Sequence, residues 1–210
     1  MNGKLLSQLP DFLCENELVE RLKILPNYNI NIANETMPTR LLALSELYDI
    51  YIPSQLSVDV YNKLYMALLR SIKKKENDMM VKQQRIENTT NTIQTYNGII
   101  GGADSFTIIG VSGIGKSSAI TRAISLIFGN HFIETTNPYQ RIAPFILVQC
   151  PFDSSVKSLL LEIVRILDAT LDGDYLQIAQ RYTTDRLIGF VSQICLNHVG
   201  VLIVDEIQNV

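Results

Sequence analysis

Residues 106–118 read FTIIGVSGIGKSS, and the reading of the fold turns on them. A β-branched, apolar run leads into Gly110, and Gly110 to Ser117 then match the spacing G-x-x-x-x-G-K-[S/T] at every fixed position. A strand that must end and turn so that several backbone N–H groups meet one phosphate needs glycines, because only they allow the turn and the close approach. The cradle is read as Gly110, Ser112, Gly113, Ile114, Gly115, Lys116, Ser117 and Ser118. A helix starting near Lys116 aims its positive end at the same anion. Lys116 is expected to reach the β- and γ-phosphates of ATP, and the Ser117 hydroxyl to ligate Mg²⁺.

At 201–210 the sequence reads VLIVDEIQNV, an apolar strand delivering two adjacent carboxylates. On its own, such a pair reads as a cap on the next turn. Beside a phosphate loop it takes another meaning: Asp205 enters the Mg²⁺ shell, and Glu206 orients and deprotonates an attacking water. The expected catalytic residues are therefore Glu206 and Lys116, and the expected metal ligands Ser117 and Asp205. An acid pair suits hydrolysis better than small-molecule kinase chemistry, in which the acceptor is not water.

The rest of the chain sets the frame. Between the two motifs come a helical pattern over 116–128, the apolar run FILVQC at 145–150, and helical patterns near 155–171 and 184–197. Buried-looking strands alternating with helices predict an α/β fold, a P-loop NTPase core with a parallel sheet flanked by helices. Strands are expected at 106–110, 145–150 and 200–205. Upstream, residues 1–35 read as a loosely ordered arm with one short helix near 15–24. Pro38 opens a helical pattern containing Leu41, Leu42, Leu44, Leu47 and Tyr48. Ser57 is the expected N-cap of a further helix, striped by Val60, Leu64, Ala67, Leu68 and Ile72 and ending at Lys73, Lys74 and Lys75. Residues 79–98 read as another, polar helix. The expected domains are a mostly helical N-terminal extension (1–98) and the first part of an ATPase domain (99–210).

Charge and composition narrow the function classes. The net charge of −3 leaves no global basic field to attract nucleic acid, so DNA contact needs a local patch. One exists: seven basic residues between 63 and 85 (Lys63, Arg70, Lys73, Lys74, Lys75, Lys82, Arg85) stand against Glu76 and Asp78. A solvated helix end, its cations complementing the helix dipole, is the preferred reading over a phosphate-backbone contact. Cys14, Cys150 and Cys195 are too far apart for a disulfide framework or zinc site and read as structural thiols. His131 and His198 have no partner at ligand spacing. No apolar run approaches the roughly 20 residues that span a bilayer, and the N-terminus meets acids and a proline too early for a signal peptide. The expectation is a soluble, cytoplasmic protein with no membrane partner.

The phosphate loop, the VDEIQN acids and the stretch FILVQCPFDSSVKSLLLEIVRILDATLDGDY (145–175) together resemble the TniB/TnsC-type AAA+ ATPases of bacterial transposons. Cys150, Pro151, Ser154, Ser155, Lys157 and the 159–171 helix carry the family's second strand and its sequel. The stretch PTRLLALSELYDIYIPSQLSVDVYNKLYMALLRSI (38–72) resembles its leader. The resemblance covers roughly residues 36–210. It implies an ATP-dependent DNA-binding regulator of transposition, assembling into a ring or filament on DNA and linking a target selector to the transposase. It implies ATP and Mg²⁺ as cofactors, and it makes Arg141 and Lys157 the nearest candidates for DNA contact. In that family a further strand separates the phosphate-loop strand from the acid strand, with an arginine finger and a helical lid beyond. All of these would follow Val210. The chain therefore reads as a truncated product ending after the acid motif, able to bind ATP but expected to hydrolyse it very slowly. A replication-initiator or helicase-loader-like AAA+ ATPase and a non-hydrolysing interaction module are the competing readings.

Overall fold

The computed structural model describes residues 5–26, 29–88, 105–129, 131–136, 139–153 and 155–207, with only the backbone of 79–88 and 136. Its elements in chain order are α1 (Glu15–Leu22), α2 (Met37–Ser45), α3 (Gln55–Asn88), α4 (Lys116–Ile127), β1 (Ile133–Thr136), β2 (Tyr139–Gln149), α5 (Val156–Leu171), α6 (Tyr175–Ala179), α7 (Thr184–His198) and β3 (Val199–Asp205). Short 3₁₀ turns precede α1 and flank α2.

The sheet has the order β1-β2-β3. β2 and β3 are parallel, from Ala143 opposite Val199 to Gln149 opposite Asp205, and α5, α6 and α7 supply the crossover that a parallel pair needs. β1 runs antiparallel to the start of β2, Ile133 opposite Ile142. The expected purely parallel sheet is thus corrected to a mixed one. The hairpin escapes sequence reading because Ile133–Thr136 is short and the first half of β2 carries Gln140, Arg141 and Pro144 inside an otherwise apolar run.

From Phe145 onward side chains alternate across β2: Phe145 and Leu147 join a cluster with α1, α3 and α4, while Ile146 and Val148 join a second with α5, α6 and α7. Before Pro144 the phase is shifted, Ile142 joining the first cluster and Ala143 the second. The sheet is therefore sandwiched between two helical layers, which is why its strands read as continuous apolar runs.

The expected strand at 106–110 forms no ladder among the described residues. A strand exists through neighbours about 4.8 Å away. Instead, residues 105–108 and β3 face each other across a groove of about 310 Å³ floored by Leu64 and Ala67 of α3. Half-buried Ile108 packs on the first cluster.

α3 differs most from expectation. Its start is set by Ser54, whose carbonyl accepts from Ser57 and Val58 and whose N–H donates to Ser57 Oγ (3.1 Å). Ser54 therefore holds the N-cap position, and Ser57 reaches back from the first turn as in a capping box. Of the expected stripe, Val60, Leu64, Leu68 and Ile72 are buried and Ala67 is half-buried, and Tyr61 and Tyr65 are buried beside them. The helix does not stop at Lys73–Lys75 but continues to Asn88, because no glycine or proline interrupts that stretch. The basic run thus lies mid-helix, and its own helix dipole no longer accounts for it. Lys75 instead donates to the carbonyls of Cys195 and Leu196 in the last turn of α7, supplying a cation to that helix's negative pole. The expected helix over 79–98 is, as far as residue 88, part of α3; residues 89–98 lie outside the described residues.

The N-terminal arm is docked rather than loose. The N–H of buried Leu5 donates to Glu76 Oε1 (3.0 Å), Tyr65 Oη donates to the Pro10 carbonyl (2.7 Å), and Leu13 N–H donates to Tyr61 Oη (3.1 Å). Gln8 pairs with both backbone groups of Glu134. α1 buries Leu18 and Leu22 in the first cluster. α2, by contrast, has no buried residue. No described helix is long and apolar enough to cross a membrane.

The three thiols differ in environment. Cys14 is exposed and Cys150 buried, and burial pushes the Cys195 thiol up to about 11. The raised value keeps Cys195 in the thiol form rather than the reactive thiolate. Alkylation of the native chain at pH 8 is expected to label Cys14 first, with Cys195 following only on unfolding. Peptide mapping over time checks this, and equal rates would contradict it.

Candidate nucleotide site

The site forms where α4, β3 and the 110–115 loop meet. Gly113 and Gly115 have φ of 81° and 91°, left-handed values that suit glycine. A Cβ at either position would meet nothing within 4 Å. Backbone conformation, not space, therefore demands glycine here. Gly115 is the N-cap of α4, its carbonyl accepting from Ala119 N–H at 2.9 Å. The helix's positive pole opens directly onto the loop. Val111, Ser112, Gly113 and Ile114 are exposed, as are Ser117 and Ser118.

Lys116, the first residue of α4, folds its side chain back over the loop. Its Nζ donates to the carbonyls of Gly110 (2.8 Å) and Val111 (3.0 Å). Ser117 Oγ donates to Asp205 Oδ2 at 2.7 Å, across 88 residues of sequence. Asp205 is fixed at the end of β3, its backbone carbonyl accepting from Cys150 N–H at 2.9 Å and its Oδ1 from Glu206 N–H at 2.9 Å. Glu206 itself has φ of 57°, an unusual value for glutamate. Such departures concentrate where side chains are held for function.

This arrangement brings together the residues singled out from the sequence: the glycine loop, Lys116, Ser117, Asp205 and Glu206. Its chemistry is consistent with a polyphosphate and a hard cation. Helix pole and ammonium attract an anion, but Asp205 and Glu206 would repel it. A divalent ion between a hydroxyl and a carboxylate, both oxygen donors of the kind Mg²⁺ prefers, reconciles the two charges.

Arg141 and Lys157 have different fates. Arg141 lies near the start of β2, eight residues before Gln149, which is opposite Asp205, or about 26 Å along the strand. Its guanidinium sits 3.8 Å over the Phe132 ring and pairs with Glu134 (3.3 Å) and Asp172 (3.4 Å). Lys157, in the first turn of α5, follows the end of β2, at the same end of the sheet as Asp205. Of the histidines, His198 Nδ1 is 2.9 Å from the Arg141 carbonyl.

Residues 99–210, more than half of the chain, match the family described as AAA domain. The chain belongs to the AAA domain family. No curated protein matches it. Membership places the chain among P-loop ATPases, which as a family bind ATP with Mg²⁺ and act in a nucleotide-dependent way. The AAA match begins just before the phosphate loop and extends through the acid pair, so both halves of the site lie inside it.

One residue near the site has no motif to announce it. Arg122, on α4, reaches out of the AAA domain to backbone carbonyls of α1. No signal short of the tertiary structure connects residues a hundred positions apart.

Proposed function

We propose that this chain is the ATP-binding part of an ATP-dependent DNA-binding regulator of transposition, of the TniB/TnsC type, in which ATP drives assembly on DNA and hydrolysis releases it. The observation that carries the nucleotide reading is the 2.7 Å bond from Ser117 to Asp205, which unites phosphate loop and acid strand in one site. The transposition reading is supported by the resemblance of residues 36–210, in particular the stretches 38–72 and 145–175.

In this reading the 110–115 loop and the α4 N-terminus bind the phosphates through backbone N–H groups. Lys116 moves from the Gly110 and Val111 carbonyls to phosphate oxygens, which are stronger acceptors because they are charged. Ser117 and Asp205 would hold Mg²⁺, whose chemistry there would be to neutralise phosphate charge. Glu206 orients a water and accepts its proton at the carboxylate. In this reading assembly brings in a transposase and a target selector as partners, with Lys157 and Arg141 as the candidate DNA contacts.

Sedimentation of the chain with duplex DNA, with and without a non-hydrolysable ATP analogue, tests the proposal. Fast-sedimenting complexes are expected only with both DNA and nucleotide, and none with Lys116→Ala. Assembly indifferent to DNA but dependent on a replicative helicase would favour the loader reading. Partner binding indifferent to Lys116 would favour an interaction module.

A further inference from the structure

Arg122 lies six residues beyond Lys116, about 9 Å along α4. Its Nε donates to the Leu22 carbonyl at 2.8 Å and its Nη2 to the Arg21 carbonyl at 2.7 Å. Both carbonyls belong to the last turn of α1. The last four carbonyls of a helix have no partner within it. Here the Lys23 N–H takes the Val19 carbonyl, and Arg122 takes two of those beyond. It also sets a full positive charge at the negative pole of α1.

The contact is reinforced beneath. Leu18 and Leu22 of α1 share a buried cluster with Ala119, Ile120 and Ala123 of α4. α4 is held mainly by its packing on α3, and its smaller seam with α1 is apolar. A planar guanidinium bonded to two successive fixed carbonyls adds a directional tie between α4 and α1. The angle of α4 in turn sets where Lys116 and Ser117 stand.

We propose that Arg122 is a positioning residue that links occupation of the phosphate loop to the seating of α1. The inference rests on the loop binding nucleotide. Nucleotide favours the orientation of α4 that Arg122 clamps, so binding tightens α1. By the same linkage, a seated α1 raises nucleotide affinity. The N-terminal segment is then part of the nucleotide-responsive machinery. The strut extends further, because Ile24, just past α1, pairs with Tyr51 in an isolated bridge beyond α2.

Amide hydrogen exchange of residues 15–22 in the full chain, with and without a non-hydrolysable ATP analogue and Mg²⁺, tests this. Nucleotide is expected to slow exchange there by about five- to tenfold, a typical coupling. Arg122→Gln is expected to remove that increment and weaken nucleotide binding by a similar factor, and Arg122→Lys to keep part of both. A purely structural role would change the baseline exchange but leave the nucleotide-dependent increment. Binding without slower exchange in the wild type overturns the linkage alone, as does an increment that survives Arg122→Gln. If Arg122→Gln fails to fold, Arg122→Lys carries the test, and an increment undiminished in that variant overturns the role of Arg122. Failure of the wild-type chain to bind nucleotide in the same titration overturns the phosphate-loop reading, and the linkage with it.

Discussion

Lys116→Ala is expected to weaken Mg-ATP binding by roughly a hundredfold while leaving the fold almost unchanged. Without ligand, the ammonium bonds only two carbonyls of its own loop, Gly110 and Val111. Those bonds link near neighbours in sequence at a part-exposed position and contribute little to stability. With nucleotide, the same ammonium faces phosphate oxygens, and hydrogen bonds between charged groups contribute about 1.5–3 kcal/mol each. One or two such bonds account for a hundredfold change. Calorimetric titration measures the affinity and thermal unfolding the stability. An affinity within threefold of wild type would remove Lys116 from the site. A large loss of stability would mean that the lysine serves the fold rather than the ligand.

Gly200→Ala is expected to have the largest effect on stability, costing about 3 kcal/mol. Gly200 is the second residue of β3, where the strand passes closest to β2 and α3. A Cβ there would lie 2.4 Å from the Pro144 carbonyl oxygen and 2.6 Å from Leu68 Cδ1. Leu68 is fully buried and has little room to yield, and Pro144 O is backbone of the adjacent strand. The clash is relieved only by pushing β3 away from β2, which loosens the ladder that positions Asp205. Both the urea midpoint and nucleotide binding should therefore fall together. Gly189→Ala is the control: it lies at an exposed position of α7, where a Cβ meets nothing within 4 Å. Alanine there should stabilise by about 0.5–1 kcal/mol, because glycine is costly in a helix. Equal midpoints for Gly200→Ala and wild type would show that the strands are not as close as described.

These two variants sit on different sides of what can be read from a sequence. The Lys116 site was legible because its requirement is local. A turn with positive φ at Gly113 and Gly115, followed at once by a helix and a lysine, is fixed by adjacent residues, and only a few residue types satisfy it. The stripe Val60–Leu64–Leu68–Ile72 was legible for the same kind of reason, since helical periodicity places its members on one face. The end of β3 and its acids were legible because β3 is a continuous apolar run, half-buried along most of its length, that stops where the carboxylates begin.

Other features depended on partners that no local pattern names. FTIIG has the composition of a strand, yet it forms no ladder among the described residues, because pairing depends on what lies alongside. Ile133–Thr136 has a weaker signal and is a strand, because the start of β2 folds back onto it. The Lys73–Lys75 run resembled a helix end, but α3 continues, and Lys75 serves the end of α7 instead. The arm resembled a loose segment because Leu5, Leu18 and Leu22 are too sparse to show a pattern, and their burial depends on α3 and α4. By itself the sequence determined the phosphate loop, the acid pair and the helices around them, since each answers to constraints within one or two turns of chain. Only the tertiary structure decided the strand order, the length of α3, the seat of the arm and the grip of Arg122 on α1. Those are set by contacts between residues tens to a hundred positions apart, where burial and hydrogen-bond geometry outweigh local preference.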